Sequence, residues 1–281
     1  MSWHVTGDIE DFERVAGDFL HADPVRNTVM LTVVAALKTS GVATYSDAAP
    51  SFGWYGDGGV QAAFLRTPPM PALVSDAPLR AVEALIGALD GVPRLSGPSD
   101  SVQAFAEAWQ AATGRPTTVS SNRRLFRLGE LTPPQPGPEG SARLVTEADR
   151  DLLIEWFEAF GVDVGEPAVD PARAVDRRLA NGELLLWEVD DVPVSLAGAT
   201  APIAGVTRVA PVYTPATLRG RGYAGAVTAA ISRRGLDAGN EVVLYTDMAN
   251  PTSNALYQRL GYQPIGEWTT LELGTQPAAR S

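Results

Sequence analysis

The chain has 281 residues, long for one domain and comfortable for two, and its hydrophobic fraction of 45% is enough for buried cores, which excludes global disorder. The formal net charge of -11 argues against nucleic acid and against an anionic membrane as partners, because both are bound through clustered cations. The sequence contains no cysteine, which excludes disulfides, thiolate metal sites and a cysteine-linked acyl intermediate.

Residues 1–130 alternate between helix and strand patterns. The pattern predicts, in chain order, helices over 10–20 and 24–38, a hairpin over 52–67, a strand over 70–76, a helix over 77–91, a short strand over 93–97, a helix over 99–114 and a strand over 122–131. Residues 56–59, Gly-Asp-Gly-Gly, are expected to form the hairpin turn. Ser99 or Asp100 is expected to cap the last of these helices.

Residues 131–140 read LTPPQPGPEG and are too rich in proline and glycine for a helix or a central strand. We interpret them as a linker. The expected domains are therefore an N-terminal domain over 1–130 and a C-terminal domain over 141–281.

The second half alternates more clearly. It predicts a strand over 143–146, helices over 149–160 and 171–180, strands over 183–189, 192–200 and 206–214, a helix to about 238, a strand over 241–247, a helix over 251–262 and a strand over 264–273. Thr146 is the expected N-cap of its first helix. The order β-α-α-β-β-β-α-β-α-β implies an α/β sheet covered by helices. The first half has nearly the same order, which indicates a degenerate internal duplication.

Residues 209–224, VAPVYTPATLRGRGYA, have the composition of an anion site. A strand is expected to end near Thr214 and a helix to begin near Gly220–Gly222. Glycines allow a ligand to approach their amides closely, and the first amides of a helix lie at its positive end. The arginines of this run add charge that a pyrophosphate would use. The alternative is an ordinary basic loop with glycines.

The segments VAPVYT, RGRGYA and YTDMANPTSNALYQRLGY together resemble the acetyl-CoA core of the GNAT superfamily of N-acetyltransferases. They are most similar to a bacterial branch with VYTP, RGRGYA and TD-x-ANPTSN in that order. The close resemblance covers about residues 206–265. The N-terminal half is only loosely similar, through patterns such as ADPVRNTV at 22–29.

The resemblance implies a role for each matching position. The strand before the helix would pair with pantetheine through Val212, Tyr213 and Thr214. The pyrophosphate would lie on the amides of Arg219, Gly220, Arg221, Gly222, Tyr223 and Ala224. Asn250 and Asn254 would approach the pantetheine arm. Tyr257 would be the general acid that protonates the thiolate leaving group, and the alternative for Tyr257 is a core aromatic beneath the sheet.

The general base is where the sequence departs from the family. Many members carry a carboxylate at the position of Arg208, which is a poor base but a good anchor for a substrate carboxylate. On an alternating strand Arg208, Ala210 and Val212 would share a face, and Arg208 would then point at the substrate cleft. Asp247 is the candidate base, and a turn-forming role is the alternative for it. A water chain is another route for the proton.

The sequence as a whole therefore predicts an α/β protein of two GNAT-like lobes. Each lobe would be a mixed, mostly antiparallel sheet covered by helices, and the N-terminal one would be degenerate because 96–101, SGPSDS, is no match for RGRGYA. The expected reaction transfers acetyl from acetyl-CoA directly to a primary amine of a small molecule or peptide, without a metal. A non-catalytic acyl-CoA sensor and a transferase for another acyl-CoA remain alternatives. We expect a cytoplasmic monomer or homodimer that binds neither membrane nor nucleic acid.

Overall fold

The structure is a computed structural model that describes residues 1–41, 48–89, 91–165 and 170–274. The chain forms two compact units. The first consists of Met1–Leu125, Asp247–Ala249 and Ile265–Ser281, and the second of Phe126–Thr246 and Asn250–Pro264. Within the described ranges no helix has both the length and the apolar character of a membrane span.

In the described residues the α-helices and strands of the two halves follow the same order, β-α-α-β-β-β-α-β-α-β. The first half contains β1 (Trp3–Thr6), α1 (Ile9–Ala22), α2 (Thr28–Ser40), β2 (Ser51–Tyr55), β3 (Ala62–Arg66), β4 (Ala72–Val74), α3 (Leu79–Ala88), β5 (Arg94–Pro98), α4 (Ser99–Thr113) and β6 (Thr117–Leu128). The second contains β7 (Ser141–Leu144), α5 (Arg150–Asp163), α6 (Pro171–Ala180), β8 (Leu184–Val189), β9 (Val192–Ala199), β10 (Val206–Tyr213), α7 (Tyr223–Asp237), β11 (Glu241–Asp247), α8 (Pro251–Arg259) and β12 (Tyr262–Leu273). The predicted α/β class with two similar, mostly antiparallel lobes is confirmed.

The last strand of each half is divided between the two units, because β6 passes from the first unit to the second after Leu125 and β12 passes from the second to the first after Pro264. In the first unit the strand order is β1-β2-β3-β4-β5-β12, and β12 lies antiparallel to β5 with Trp268 opposite Pro98. In the second unit the order is β6-β11-β10-β9-β8-β7, where β6 contributes residues 126–128. Within each order, the strand pairs β4–β5 and β10–β11 are parallel.

The sheet of the second unit is covered on both faces. Leu185 of β8 lies in a core cluster with Val227 of α7 and Tyr257 of α8. Its neighbours Leu184 and Leu186 lie in another cluster with residues of α5 and α6. Successive residues of a strand point to opposite faces, so α7 and α8 cover one face and α5 and α6 the other.

Of the two helix N-caps predicted from the sequence, the structure has one and lacks the other. Thr146 is the N-cap residue of a short 3-10 turn, Glu147–Asp149, that leads into α5, as predicted. Its backbone N–H and its Oγ1 both donate to the carboxylate of Asp149, at 2.7 and 3.1 Å. The predicted cap of α4 is wrong. That helix starts at Ser99 itself, whose hydroxyl bonds Thr269 Oγ1 at 2.8 Å instead of capping.

Residues 131–140 contain neither helix nor strand, which fits their composition. They belong to the second compact unit. Their role as a linker between independently folding domains, with boundaries after residues 130 and 140, stays a prediction.

Candidate functional site

Two parallel strands of the second unit separate at one end. β10 pairs with β11 only from Val206 to Val209, opposite Glu241 to Leu244. β10 then continues to Tyr213, so its last four residues extend past this pairing. On the other side Val212 and Tyr213 still pair with β9. The last four residues of β10 therefore lie beyond its hydrogen-bonded pairing with β11.

A β-bulge lies where β10 leaves β11. Val209 is opposite Ala199 and Val212 is opposite Ala197, so β10 has one more residue than β9 over this stretch. Val209 and Val212 consequently both lie at the α7 side of the sheet. The prediction that Arg208, Ala210 and Val212 share a face is wrong, because the extra residue breaks the alternation.

Arg178 of α6 holds this bulge. Its Nη1 donates to the carbonyl of Ala210 at 2.8 Å, and its guanidinium lies 3.8 Å from Glu183 and 5.9 Å from the centre of the Phe157 ring. Burial lowers the pKa of Arg178 to about 10, which is still far above neutrality, so the side chain stays charged. Sequence reasoning missed this residue, since an arginine in a polar helix gives no signal of such a contact.

Polar groups also fix the end of β10. Ser195 of β9 donates to the carbonyl of Tyr213 at 3.0 Å and bonds Thr214 Oγ1 at 2.8 Å. Arg219 Nε donates to the carbonyl of Thr214 at 2.9 Å. The predicted pantetheine-pairing residues are therefore held in place by their own neighbours.

The loop from β10 to α7 leads into the expected anion site. Gly220 and Gly222 adopt positive φ angles of 78° and 87°, which favour glycine, and both are exposed. The helix begins at Tyr223, and its first helical hydrogen bond runs from Ala226 N–H to the carbonyl of Gly222 at 3.1 Å. The amide of Arg219 already donates to the carbonyl of Ala216 at 3.4 Å, whereas the backbone bonds described include none from the amides of residues 220–225. These amides, Ala224 among them, lie at the positive end of a 15-residue helix.

The two arginines of this loop differ. Arg219 forms an ion pair with Asp163 of α5, and its guanidinium carbon is 6.0 Å from the centre of the Tyr213 ring. The side chain of Arg221 is exposed, and its only hydrogen bond among those described is a long one of 3.4 Å to the carbonyl of Thr217. Arg221 is therefore the more adaptable cation for an anionic ligand.

Tyr257 lies on α8 in the core cluster of the second unit and is 8% exposed. Its ring makes an edge contact with Tyr262, with centres 6.0 Å apart. In the described part of the chain its hydroxyl has no hydrogen bond, whereas the hydroxyl of Tyr262 bonds Ser232 at 2.7 Å. Burial raises the pKa of Tyr257 to about 12. The phenol is therefore protonated at neutral pH, and the described residues provide no hydrogen-bond acceptor for it.

Asn250 and Asn254 both serve the start of α8. Asn250 is its N-cap, and Asn250 Oδ1 accepts from Ser253 N–H at 3.0 Å. Asn254 Nδ2 donates to the carbonyl of Asn250 at 2.7 Å. The structure thus shows a capping function for Asn250 and a bond from the Asn254 side chain to the Asn250 backbone, and their approach to pantetheine stays a prediction.

The two remaining candidates concern the base and the acceptor. Asp247 is exposed, and its Oδ1 accepts from Ala249 N–H at 2.8 Å, which is the turn-forming role considered for it. It falls in the first compact unit, whereas the other candidates all belong to the second.

Arg208 is half-buried, on the face opposite Val209, and its charge contributes to lowering the pKa of Arg178. The described residues include no group of three His, Asp or Glu side chains placed to hold a metal.

Residues 197–271 match the family model described as FR47-like protein. A comparison with curated proteins finds no match. The matched residues, 197–271, run from β9 into β12 and contain the bulge, the glycine loop and α8.

Three solved structures are similar over almost the whole chain. A GNAT-family acetyltransferase from Colwellia psychrerythraea aligns with 98% of this chain and 100% of its own, at 9% identity and a TM-score of 0.61. A GCN5-related N-acetyltransferase from Kribbella flavida covers 89% and 97%, at 18% identity and 0.55. A Drosophila protein covers 96% and 98%, at 13% identity and 0.67. The resemblance to the GNAT superfamily is therefore confirmed: the chain has the GNAT fold, and its residues 197–271 match the FR47-like family.

Proposed function

We propose that the chain is an N-acyltransferase that transfers acetyl from acetyl-CoA to a primary amine of a small molecule or peptide. One observation carries the proposal. β10 extends past its pairing with β11 and leads directly into the glycine loop and the start of α7. An extended arm with amides and an anionic group at one end matches that arrangement, and acyl-CoA has both.

The fit can be given residue by residue. The backbone of Val212, Tyr213 and Thr214 would pair with the pantetheine amides as an added strand. The amides of residues 219–224 would hold the pyrophosphate, because glycines at 220 and 222 leave no Cβ in the way. Arg221 would add a charge-assisted contact.

The chemistry follows from the proposed positions. The amine nitrogen attacks the thioester carbonyl carbon, so a C–N bond forms while the C–S bond breaks. Tyr257 donates its proton to the departing sulfur and is later reprotonated by solvent. The proton of the new ammonium goes to Asp247 or to a water chain. The chain has no cysteine to carry the acyl group, so a direct transfer in a ternary complex is the simpler route.

Calorimetry with CoA tests the proposal. Gly222→Asp places a carboxylate where the pyrophosphate would bind, so we expect its affinity for CoA to fall roughly tenfold or more. Gly239→Asp is a matched control, since Gly239 has a similar φ of 79° and open space around it but follows the other end of α7. Unchanged CoA affinity in folded Gly222→Asp would sink the assignment. CoA binding without thiol release on any amine of a broad panel would favour the sensor alternative.

For the acceptor, we propose that Arg208 binds a carboxylate of the amine substrate. The proposal is supported by its half-buried position and by a second arginine, Arg178, close enough to be affected by its charge. Losing a hydrogen bond to a charged group costs about 1.5–3 kcal/mol, so Arg208→Ala should raise KM for carboxylate-bearing amines roughly tenfold or more. Neutral amines should be unaffected. Equal losses on both substrate classes, measured by steady-state kinetics, would contradict the anchor.

A further inference from the structure

The proline-rich segment 131–139, here called the proline strap, is fastened at both ends. Near its start, Thr132 N–H donates to the carbonyl of Leu260 at 3.0 Å. At its end, the carbonyl of Glu139 accepts from Trp187 Nε1 at 2.9 Å. The strap is thereby tied to the end of α8 and to β8.

Two glycines allow these ends to approach their supports. Gly261 has φ of 98°, and a Cβ there would lie 1.9 Å from the carbonyl oxygen of Glu130. Gly140 has φ of 103°, and a Cβ there would lie 2.0 Å from the carbonyl oxygen of Glu188. Since no side chain fits at either position, the path of the strap is fixed by backbone contacts.

Between its ends the strap passes close to the first turn of α7. A Cβ built on Gly222 would lie 3.7 Å from the ring of Pro138, in ordinary contact. A Cβ built on Gly225 would lie 3.3 Å from Cγ of Pro134, which is tight. The two prolines therefore lie within about one methyl group of the helix backbone, together with Leu256, whose Cδ1 would be 3.1 Å from a Cβ on Gly225.

Further along α7 the strap leaves space. A cavity of about 270 Å³ lies there, and its lining includes Pro133 and Gly137 of the strap and Ala229, Ala230 and Arg233 of the helix. Pro134 and Pro138 line the same cavity, and they are also the strap residues nearest to Gly225 and Gly222 in the first turn. Those glycines would otherwise give the turn more freedom than any other residue would.

We propose that the proline strap is a positioning element of the cofactor site. Pro134 and Pro138 hold the first turn of α7 so that its amides already point at the pyrophosphate before it binds. The gain is preorganisation, because a ligand then does not have to order the turn. The inference rests on the proposed function, since it assigns the strap to the same CoA site.

The test compares two ligands on three proteins. We expect Pro134→Ala/Pro138→Ala to weaken CoA binding about 3- to 10-fold, the effect of ordering a mobile group on binding. Binding of pantetheine, which lacks the pyrophosphate, should be unchanged. Pro133→Ala is the matched control, because Pro133 lies in the same strap but is exposed and makes neither glycine contact. Equal weakening for both ligands would show a merely structural strap and overturn the proposal.

Hydrogen exchange tests the hold on the helix without any ligand. The amide of Ala226 closes the first turn, so it should exchange faster in the double variant than in Pro133→Ala. Trp187→Phe, which removes the N–H donated to Glu139, should act in the same direction. Unchanged exchange in both variants would overturn the positioning role while the CoA site stands. Absence of CoA binding by the wild-type chain would instead overturn the proposed function and the strap's cofactor role with it.

Discussion

At the scale of single residues, Tyr257 combines two properties that a sequence cannot separate. It is a core aromatic, as its place in the cluster of the second unit shows, and it carries a hydroxyl without a hydrogen bond in the described structure. Its motif suggested the acid role, and its helical position allowed the packing role. The structure adds the surroundings of the hydroxyl, which bear on both roles. A buried phenol with no acceptor is either an unused polar group or one that meets its acceptor in the reacting complex.

We therefore predict that Tyr257→Phe lowers kcat at least about tenfold, within the 10²–10⁴ that proton transfer typically contributes. Packing and CoA affinity should be nearly unchanged, because the ring remains. Tyr262→Phe is the control. It removes a neighbouring hydroxyl that bonds Ser232, so it should lower stability and leave kcat intact. Wild-type turnover of Tyr257→Phe in steady-state kinetics would show that solvent protonates the thiolate.

The raised pKa of Tyr257 adds a pH dependence to this prediction. Burial disfavours the phenolate, so the folded protein holds the proton up to about pH 12, above the usual value of 10.0. Ionisation of Tyr257 should then not lower kcat as pH rises from about 7 to 10. A tyrosine-dependent loss within that range, absent in Tyr257→Phe, would contradict the buried state of the acid.

At the scale of elements, the sequence predicted the order and type of most helices and strands, but it missed a short strand and a β-bulge. Apolar periodicity and glycine stops are local signals, and they placed α6 and β11 with the bounds found in the structure. β1 was missed because four residues with a mixed pattern carry too little periodicity. The bulge in β10 was missed because it depends on the register with β9, which no local pattern encodes. The bulge matters for the candidate site because it determines which side chains of β10 face α7.

In the candidate site, too, features set by neighbouring residues could be predicted, and features set by distant residues could not. The glycine loop and the start of α7 follow from residues close together in the chain, so the sequence could predict them. Arg178, Ser195 and the proline strap reach the site from other elements, through contacts to Ala210, Tyr213 and the first turn of α7. Such contacts over long sequence separation leave no motif. The structure was needed to find the groups that support the predicted ligand-binding backbone.

At the scale of the whole molecule, the core of the second unit includes side chains from the first half of the sequence. Phe126 and Leu128 of β6 and Leu131 of the strap lie in the core cluster of the second unit, together with Val227 and Leu244. All three precede residue 141, where the predicted C-terminal domain begins. Although the two halves have the same order of elements, the second half therefore does not contain its whole core.

This arrangement predicts how fragments behave. A fragment of residues 141–281 lacks three core side chains, and truncating even one such phenylalanine or leucine typically costs about 2–5 kcal/mol. Because whole domains are stable by only about 5–15 kcal/mol, we expect the fragment to unfold without a cooperative transition and not to bind CoA. A fragment of residues 117–281 restores β6 and the strap and should regain a cooperative thermal transition by circular dichroism. If the shorter fragment instead unfolds cooperatively and binds CoA with the affinity of the full chain, the boundary predicted at residue 140 is a true domain boundary and the contribution of β6 to the second core is dispensable.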